Sequence, residues 1–466
     1  MKQRCSCNRR SFLKGTGVTL AGFGLMSLLP GALIRQAMAQ TAVNGRRLLF
    51  IFLRGGNDGL NAVIPHGDPD YNIVNRPTLH IAPGDSIDLN GFASLHPALQ
   101  PLQPAFDAGE LAVAHRIGYP DSSHSHFDGQ RMWENGLPGD PGLFEGWLYR
   151  FVQESLLAGS AALPVITAQS TPPLILKGDE SFVNVANPNA FDFLDNPPKR
   201  DKYSAAWAER YANLSGLEPY RPILSDAGLK MINTLDTYRA WDQANWNPRD
   251  PDSGDFLFPV SDATNPPDAS TPSGLKFAAT SYEFFNSLKV CALSLLEDSG
   301  TRIAGTELNG WDLHDAQGTL AGDHAELLSW LAYGIRSLRI VLSGAALDNR
   351  GYPSIWPDTI VTTMSEFGRT SKENGSAGTD HANASCMFIA GGSINGGVYN
   401  CDAATWLPGV MFGIDGRYLL ERTDYRAIFW EILRDHMNAD PAMVDTVFPG
   451  YSALGLSSHE LGLIQT

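Results

Sequence analysis

Short apolar runs alternate with helical patterns along most of this 466-residue chain, and the alternation restricts the folds that are open to it. The run at residues 48–53 is nearly unbroken and stops at Gly55 and Gly56, as expected for a buried strand that ends in a tight turn. Strands that are buried on both faces and separated by helices form parallel sheets. We therefore expect an α/β fold with a mostly parallel central sheet and helices on both faces.

The same patterns predict further strands and helices. Residues 326–338 have strong amphipathic spacing, and Asp323 with Glu326 three residues later is typical of a capped helix start. A similar start at Thr423 opens a predicted helix over residues 423–437. The remaining predictions are strands at residues 111–117, 164–168, 301–308, 359–364 and 384–390, and a helix at residues 284–296.

Residues 171–273 interrupt this alternation. They contain Pro-rich stretches and two amphipathic helical patterns, at residues 203–214 and 227–244. Inserted segments of this kind often cover the mouth of a site. We expect a helical cap inserted into a single domain over residues 40–466, rather than a second independent domain.

The first 39 residues have the three parts of an export signal. These are Arg-Arg-Ser-Phe-Leu-Lys at residues 9–14, an apolar run at residues 15–34 and Ala-Met-Ala at residues 37–39. The first part resembles the twin-arginine signals of bacteria, which export folded proteins, and an ordinary secretory signal is the alternative. We expect cleavage after residue 39, a periplasmic or secreted bacterial protein, the twin-arginine export machinery as a partner, and no stable membrane span after cleavage.

The formal net charge of the chain is −16 at pH 7. A strongly acidic protein repels nucleic acid and anionic lipid, so we expect neither as a partner. The negative net charge does not argue against a bound metal ion, because the ion would itself make the local electrostatic potential positive.

Cysteine usage argues against a disulfide framework. Cys5 and Cys7 lie in the predicted signal, so the odd number Cys291, Cys386 and Cys401 remains. The surroundings of Cys291 and Cys386 in the sequence are apolar, which is typical of core positions. One bridge between Cys386 and Cys401 stays open for an exported protein.

Polar residues that could carry chemistry stand after the predicted strands or just before the last of them. The carboxyl ends of parallel strands gather at one edge of a sheet, where ligands bind. The residues are Arg54, Asp58, Ser125, His126, Asp312, His314, Glu366, Arg369, Asp380 and His381. Carboxylates and imidazoles that converge are what a zinc, manganese or calcium ion requires. The sequence therefore predicts a divalent metal site at this edge.

Plainer roles are open for several of these residues. Asp58 suits a turn, and Ser125 suits the N-cap of a helix. Glu366 could pair with Arg369. Arg54 or Arg369 could hold a substrate anion through two hydrogen bonds, although ordinary salt bridges are the alternative for both.

The histidines also have alternatives. His126 could be a core or surface residue, and His314 could take part only in hydrogen bonds within its loop. His381 has Asp380 as its neighbour, and such a carboxylate would fix the tautomer of a ligating imidazole.

Five motifs together resemble the "domain of unknown function 1501" family of exported bacterial proteins. The motifs are LRGGNDGL at residues 53–60, SHFD at 125–128, WDLH at 311–314, SEFGRT at 365–370 and GTDH at 378–381. The resemblance runs over about residues 46–450. That family is placed in the alkaline phosphatase and sulfatase superfamily, so the resemblance implies an alkaline phosphatase-like core with metal ligands at the strand ends. It implies no substrate, since the family has none assigned.

The resemblance also implies roles for single residues. It implies metal ligands at Asp58, Asp312, His314, Glu366 and His381, and a nucleophile at Ser125. In an alternative mapping, Asp380 and His381 form the Asp/His pair of the superfamily.

The chain departs from the superfamily pattern at two points. Phe367 stands where a histidine usually follows the strand-end carboxylate, and only one residue separates Asp312 from His314 instead of three. These departures argue against a second metal site, and therefore against a displacement that uses two metal ions.

Two functions follow as expectations. The first is a metal-dependent hydrolase of phosphate esters, with Arg54, Arg369 and His126 contacting a small anionic ester. Sulfate esters are less expected, because the Cys/Ser-x-Pro-x-Arg modification motif is absent after Ser125. The second is a non-catalytic exported relative that acts as a binding or assembly component.

Overall fold

The computed structural model describes residues 45–157, 161, 163–191, 197–214, 220–259, 275, 278–297 and 299–465. The predicted export signal and part of the predicted cap lie outside these residues. Within the described ranges, no helix combines the length and the apolar character needed to cross a membrane.

The strands confirm the predicted positions to within about two residues and add several short ones. They are β1 (Arg47–Arg54), β2 (Val63–Ile64), β3 (Ile87–Asp88), β4 (Ser94–Leu95), β5 (Leu111–Gly118), β6 (Val165–Ala168), β7 (Val183–Asn184), β8 (Ile303–Asn309), β9 (Thr359–Met364), β10 (Ser385–Gly391), β11 (Gly397–Tyr399) and β12 (Thr423–Asp424).

The central sheet is mixed but mostly parallel, as predicted. Its strand order is β11-β5-β10-β9-β1-β8-β6-β7, with β12 paired to β5. β1 pairs in parallel with β8 and β9, and β6 pairs in parallel with β7 and β8. β10 is antiparallel to both β5 and β9. A small antiparallel sheet with the order β2-β4-β3 stands apart.

Helices cover both faces of the sheet. They are α1 (Gly59–Ala62), α2 (Gln103–Asp107), α3 (His126–Asn135), α4 (Trp147–Glu154), α5 (Pro197–Ala212), α6 (Arg221–Ala240), α7 (Ala279–Leu296), α8 (Asp323–Leu342), α9 (Tyr425–Glu431) and α10 (Val444–Val447). The N-caps of α8 and α9 are Gly322 and Asp424, each one residue from the predicted cap. A π-helical turn, Ile432–His436, extends α9.

The core is divided by the sheet into two clusters, because side chains of a strand point alternately to opposite faces. Leu49, Ile51 and Leu53 of β1 pack with α7 and α8. Phe50 and Phe52 of the same strand pack with α4 and α9 on the other face. This alternation within one apolar run is the reason that β1 is buried on both sides.

The predicted cap contains two helices, α5 and α6, which pack on each other. The segment around the end of α6 is anchored by Tyr238 and Trp241, which join the larger core cluster. These two side chains attach the end of α6 to the core.

The cysteines Cys291, Cys386 and Cys401 are buried and unbridged, so the bridge left open by the sequence is not formed. Burial raises the pKa of the Cys291 and Cys386 thiols to about 12. Thiols with such a pKa are not thiolates at neutral pH, and these side chains act as small core residues.

Candidate metal centre

Four segments of the chain meet at one edge of the sheet. β1, β8 and β9 are parallel neighbours, so the loops that follow them start side by side. β5 runs in the same direction because it and β9 are both antiparallel to β10. These segments carry His126 after β5, Asp312 and His314 after β8, Glu366 after β9, and His381 before β10.

The close approach of the loop after β8 depends on a glycine. Gly55 has a φ of +122°, and a Cβ atom there would lie 2.4 Å from the backbone nitrogen of Asp312. Any other residue would be strained and would push the loop away. The turn predicted from the glycine pair therefore places Asp312 directly against the end of β1.

Asp312, His314 and His381 bring three donor atoms together in a triangle, called here the donor triangle. The Nε2 atom of His314 lies 2.9 Å from Oδ1 of Asp312 and 2.9 Å from Nε2 of His381. Nε2 of His381 lies 3.1 Å from the same oxygen. Atoms bound to one tetrahedral zinc ion lie about 3.3 Å apart. The triangle therefore has nearly the dimensions of a metal-ligand set.

Both imidazoles of the donor triangle are held through their other nitrogen. Nδ1 of His381 lies 2.6 Å from the carbonyl oxygen of His124, which can only accept, so Nδ1 carries the proton. Nδ1 of His314 faces Oδ1 of Asp380 at 3.4 Å, and a carboxylate also only accepts. An imidazole whose proton is on Nδ1 presents the lone pair of Nε2 to the other two members of the triangle. Such an arrangement requires a proton or another cation between the three acceptors.

His126 stands next to the donor triangle at the first position of α3. Its Nδ1 lies 2.9 Å from Oε1 of Glu366, and its Nε2 lies 3.2 Å from Oδ2 of Asp312 without a well-aligned hydrogen bond. Ligand atoms of His126, Asp312 and His381 all lie within 4.8 Å of one another. The hydrogen bond to Glu366 outweighs burial and raises the pKa of His126. Glu366 thus orients an imidazole that faces Asp312.

Glu366 itself lies behind His126. Its Oε1 accepts hydrogen bonds from the backbone nitrogen of Gly55 at 2.8 Å, from His126 at 2.9 Å and from Gln130 at 3.0 Å. Its Oε2 is buried and has no partner among the described residues. The structure makes this predicted ligand a support for His126 and does not bring it into the donor triangle.

Arg369, predicted to hold a substrate anion, is buried and engaged within the protein. Its Nε donates to the carbonyl oxygen of Gly56 at 2.8 Å, Nη1 to that of Thr379 at 2.9 Å, and Nη2 to that of Gly55. Nη2 also donates to Oδ1 of Asp312 at 2.7 Å. In this structure Arg369 ties the loops together, and its contact with a substrate anion stays a prediction. Burial opposes the charge of Asp312, but the hydrogen bonds from Arg369 and His381, together with the charges of Arg369 and His126, lower its pKa to about 2.

Asp58, a predicted metal ligand, does not belong to the donor triangle in this structure. Its side chain is only 2% exposed. Arg76 donates to Oδ2 at 2.7 Å and to Oδ1 at 3.2 Å, and Gln317 donates to Oδ2 at 2.7 Å. Burial would raise the pKa of Asp58, but Arg76 outweighs it and lowers the pKa to about 2. Both oxygens are committed to a buried ion pair.

Arg54, the other predicted anion-binding residue, is neutralised by two carboxylates. Its Nε donates to Glu307 at 2.5 Å and its Nη2 to Glu134 at 3.3 Å. Its Nη1 donates to Gln130 at 3.1 Å, and Gln130 donates in turn to Glu366. Arg54 therefore lies behind the site and lines a neighbouring cleft.

Ser125 is the N-cap of α3, as the plainer alternative predicted. Its Oγ accepts a hydrogen bond from the backbone nitrogen of Asp128 at 3.5 Å. The hydroxyl keeps its own proton for donation. Among the described residues, no imidazole or carboxylate is hydrogen-bonded to Oγ, so the geometry contains no ready base for this hydroxyl.

Sequence reasoning missed two side chains that support the site. Gln130 follows His126 by four residues on α3, so both lie on one helix face, and this spacing could have revealed it. Arg76 lies in an irregular segment about twenty residues after β1. No motif marks Arg76 in the sequence, because its pairing with Asp58 is a tertiary contact.

The donor triangle suits a divalent metal ion with mixed ligands. Two imidazole nitrogens and one carboxylate oxygen are ligands that zinc and manganese accept, whereas calcium prefers oxygen ligands alone. The side chains of Asp312 and His314 are 46% and 43% exposed, so solvent reaches one side of the triangle. Three protein ligands with an open position are typical of catalytic rather than structural zinc.

Residues 269–403 match the model of a family described as a protein of unknown function, DUF1501. The matched segment includes Asp312, His314 and His381 but excludes Asp58 and His126. It supports the stated resemblance over this part of the chain. No curated protein and no solved structure matches the chain.

Proposed function

We propose that this chain is an exported bacterial hydrolase that cleaves phosphate esters with one divalent metal ion, on an alkaline phosphatase-like fold. Sulfate esters are the less expected substrates. The observation that carries the proposal is the donor triangle, in which the Nε2 atoms of two imidazoles lie 2.9 Å from each other and 2.9–3.1 Å from one carboxylate oxygen.

Asp312, His314 and His381 would hold the ion, with zinc or manganese as the metals that fit this donor set. When bound, such an ion lowers the pKa of a coordinated hydroxyl or water and neutralises ester oxygens. The tethers from Asp380 and from the His124 carbonyl keep the two imidazoles aimed, which is how ligating histidines are commonly supported.

Ser125 and His126 would take part directly in the reaction. Ser125 would form a bond to phosphorus, and His126 would transfer a proton. The hydroxyl of Ser125 would lose its proton to solvent, and its oxygen would bond to phosphorus as the bond to the ester oxygen breaks. The bond from Ser125 to phosphorus would then break as a water oxygen bonds to phosphorus, which releases phosphate, and a proton of that water would return to the serine oxygen. His126 is held at Nδ1 by Glu366 and directs Nε2 towards Asp312, a position suited to give the leaving oxygen its proton.

A single ion is favoured over two. Asp58, which the resemblance implies as a ligand, has both oxygens engaged by Arg76 and Gln317. Phe367 packs its ring against His126 and His381, with ring centres 4.9 Å and 4.6 Å away. An apolar ring at that position supplies no ligand for a second ion.

The first test is the metal content of the protein, exported by its own signal and purified without chelator. We expect about one zinc or manganese ion per chain by plasma mass spectrometry, and its loss in His314→Ala/His381→Ala. His436→Ala is a matched control, because that histidine is buried at the opposite end of β1, against the Arg47 carbonyl. Wild-type protein that is folded and free of metal would remove the basis of the proposal.

The second test separates the roles of Ser125. Loss of an N-cap costs about 1 kcal/mol, so Ser125→Ala should lower the unfolding free energy by that amount. If Ser125 is the nucleophile, hydrolysis of p-nitrophenyl phosphate should fall to the level of the His314→Ala/His381→Ala protein while the metal content stays unchanged. Ser123→Ala serves as the control in the same loop. Unchanged hydrolysis in Ser125→Ala would assign attack to water instead.

The non-catalytic alternative rests on two observations, the capping bond of Ser125 and the engagement of Asp58 by Arg76. On this alternative the chain is an exported binding or assembly component that keeps the fold. It is supported if the metal is present but no phosphate or sulfate ester is hydrolysed above the rate of the double variant.

A further inference from the structure

A cleft of about 410 Å³ opens between the loop at residues 186–189, the start of α7 and the end of β8. Its volume is in the range of small-molecule sites. Five amide side chains line it, which is an unusual concentration of one chemical group: Gln169, Asn187, Asn189, Asn286 and Asn309.

Two of these amides are buried with an unsatisfied oxygen. Gln169 is 3% exposed and Asn286 is 8% exposed. Oε1 of Gln169 and Oδ1 of Asn286 have no hydrogen-bond partner among the described residues. A buried acceptor without a partner costs about 1–3 kcal/mol, so its retention indicates a donor that arrives from outside the protein.

The charges around the cleft argue for a neutral ligand. No lysine or arginine lines it among the described residues, so an anion finds no counter-charge. Of its two carboxylates, Glu307 is already paired with Arg54 and accepts from Ser170, which leaves only Glu283 exposed. The ring of Tyr282 adds an aromatic surface to the lining.

We propose that this cleft binds a neutral saccharide. An amide side chain offers a donor and an acceptor at fixed spacing, which matches the paired hydroxyl groups of a sugar. An aromatic ring packs against the C–H face of a sugar, and a site without net positive charge excludes its anionic analogues.

The cleft adjoins a second cleft that is lined by residues behind the site. Ser170, Glu307 and Asn309 line both this cleft and a second one that contains Arg54 and Gln130. Gln130 bonds to the same Glu366 oxygen as His126. A saccharide that carries its ester group along this second cleft would be a substrate for the proposed hydrolase. This extension rests on the proposed function, whereas saccharide binding itself does not.

Calorimetric titration of the purified protein tests the proposal. The probes are neutral hexose and N-acetylhexosamine disaccharides, with uronic-acid disaccharides and spermidine as charged comparators. We expect at least one neutral disaccharide to bind, and binding to weaken by about tenfold or more in Asn286→Leu and in Gln169→Leu, since each removes one hydrogen-bonding group. Gln100→Leu, at an exposed turn remote from the cleft, is the matched control.

Thermal melting without ligand provides a second measurement. Replacing an unsatisfied buried amide by an apolar side chain of similar size should leave the melting temperature unchanged or raise it. Weaker binding with retained stability supports the cleft as the site. Binding that is equal in the variants and the control, binding of spermidine alone, or no disaccharide binding would overturn the proposal. Metal content and ester hydrolysis are measured separately, so a failure of saccharide binding can be told apart from a failure of the hydrolase proposal.

Discussion

Asp58 and Asp312 follow neighbouring parallel strands, and each holds its carboxylate ionised, but different groups neutralise them. Asp58 faces a guanidinium that is always charged, in a pocket where Arg76 is fully buried. Asp312 is 46% exposed, and besides the guanidinium of Arg369 it faces three imidazoles whose charge is optional, those of His126, His314 and His381. Arg76 and Gln317 engage both oxygens of Asp58, whereas Arg369 donates only to Oδ1 of Asp312 and the imidazoles beside it leave room for a metal. The difference shows that the role of a carboxylate at a strand end depends on the side chains that contact it.

Matched substitutions at the two aspartates should give opposite results, and this is the largest effect we expect. Asp58→Asn leaves the buried charge of Arg76 without a counter-charge and should lower the unfolding free energy by about 3 kcal/mol or more, with the metal retained. Asp312→Asn should lower the stability of metal-free protein by less than Asp58→Asn does, since solvent screens the half-exposed carboxylate that pairs with Arg369, but it should abolish metal binding.

Urea unfolding of chelator-treated protein and plasma mass spectrometry of untreated protein measure the two effects. Both arginines keep backbone carbonyl acceptors in these variants, Arg76 those of Thr370 and Ser371 and Arg369 those of Gly56 and Thr379, so each variant removes only the carboxylate charge of the pair. Metal loss in Asp58→Asn at retained folding would return Asp58 to the ligand set and contradict the distinction.

A smaller effect on metal affinity is expected when the carboxylate that supports one imidazole is removed. Asp380→Ala removes the carboxylate that faces Nδ1 of His314, and loss of such a partner typically weakens metal binding by about 10–100-fold. Competition with a chromophoric zinc chelator measures the affinity. Arg417→Gln is the control, because Arg417 contacts the other oxygen of Asp380 at 3.0 Å and is exposed. Equal affinities in the two variants would show that the tether does not matter.

The fold was largely predictable because its signals are local. The apolar run of β1 and the glycines after it identify a buried strand and its turn without knowledge of any partner. The positions of Asp312, His314 and His381 at one sheet edge follow from strand direction alone. The roles of Asp58 and Arg369 were not predictable, because each depends on a contact with a residue distant in the sequence. A carboxylate paired by Arg76 and one surrounded by histidines look alike in a single sequence.

The pH dependence of stability gives the smallest and most specific difference between the two aspartates. Arg76 lowers the pKa of Asp58 in the folded protein to about 2, from a usual value of 3.8. A carboxyl with a depressed pKa stabilises the folded state above its unfolded value, and this contribution is lost as the pH falls from about 4 towards 2. The stability gap between wild type and Asp58→Asn should therefore narrow by about 1 kcal/mol between pH 5 and pH 3. The pKa of Asp312 is also lowered to about 2, but its carboxylate is half exposed and solvent screens the charges that lower this pKa, so we expect the corresponding gap for Asp312→Asn in metal-free protein to narrow less. Urea unfolding at the two pH values measures both gaps. If the two differences in unfolding free energy narrow equally, Asp312 is paired as firmly as Asp58. Its partner would then be Arg369 and not a metal ion.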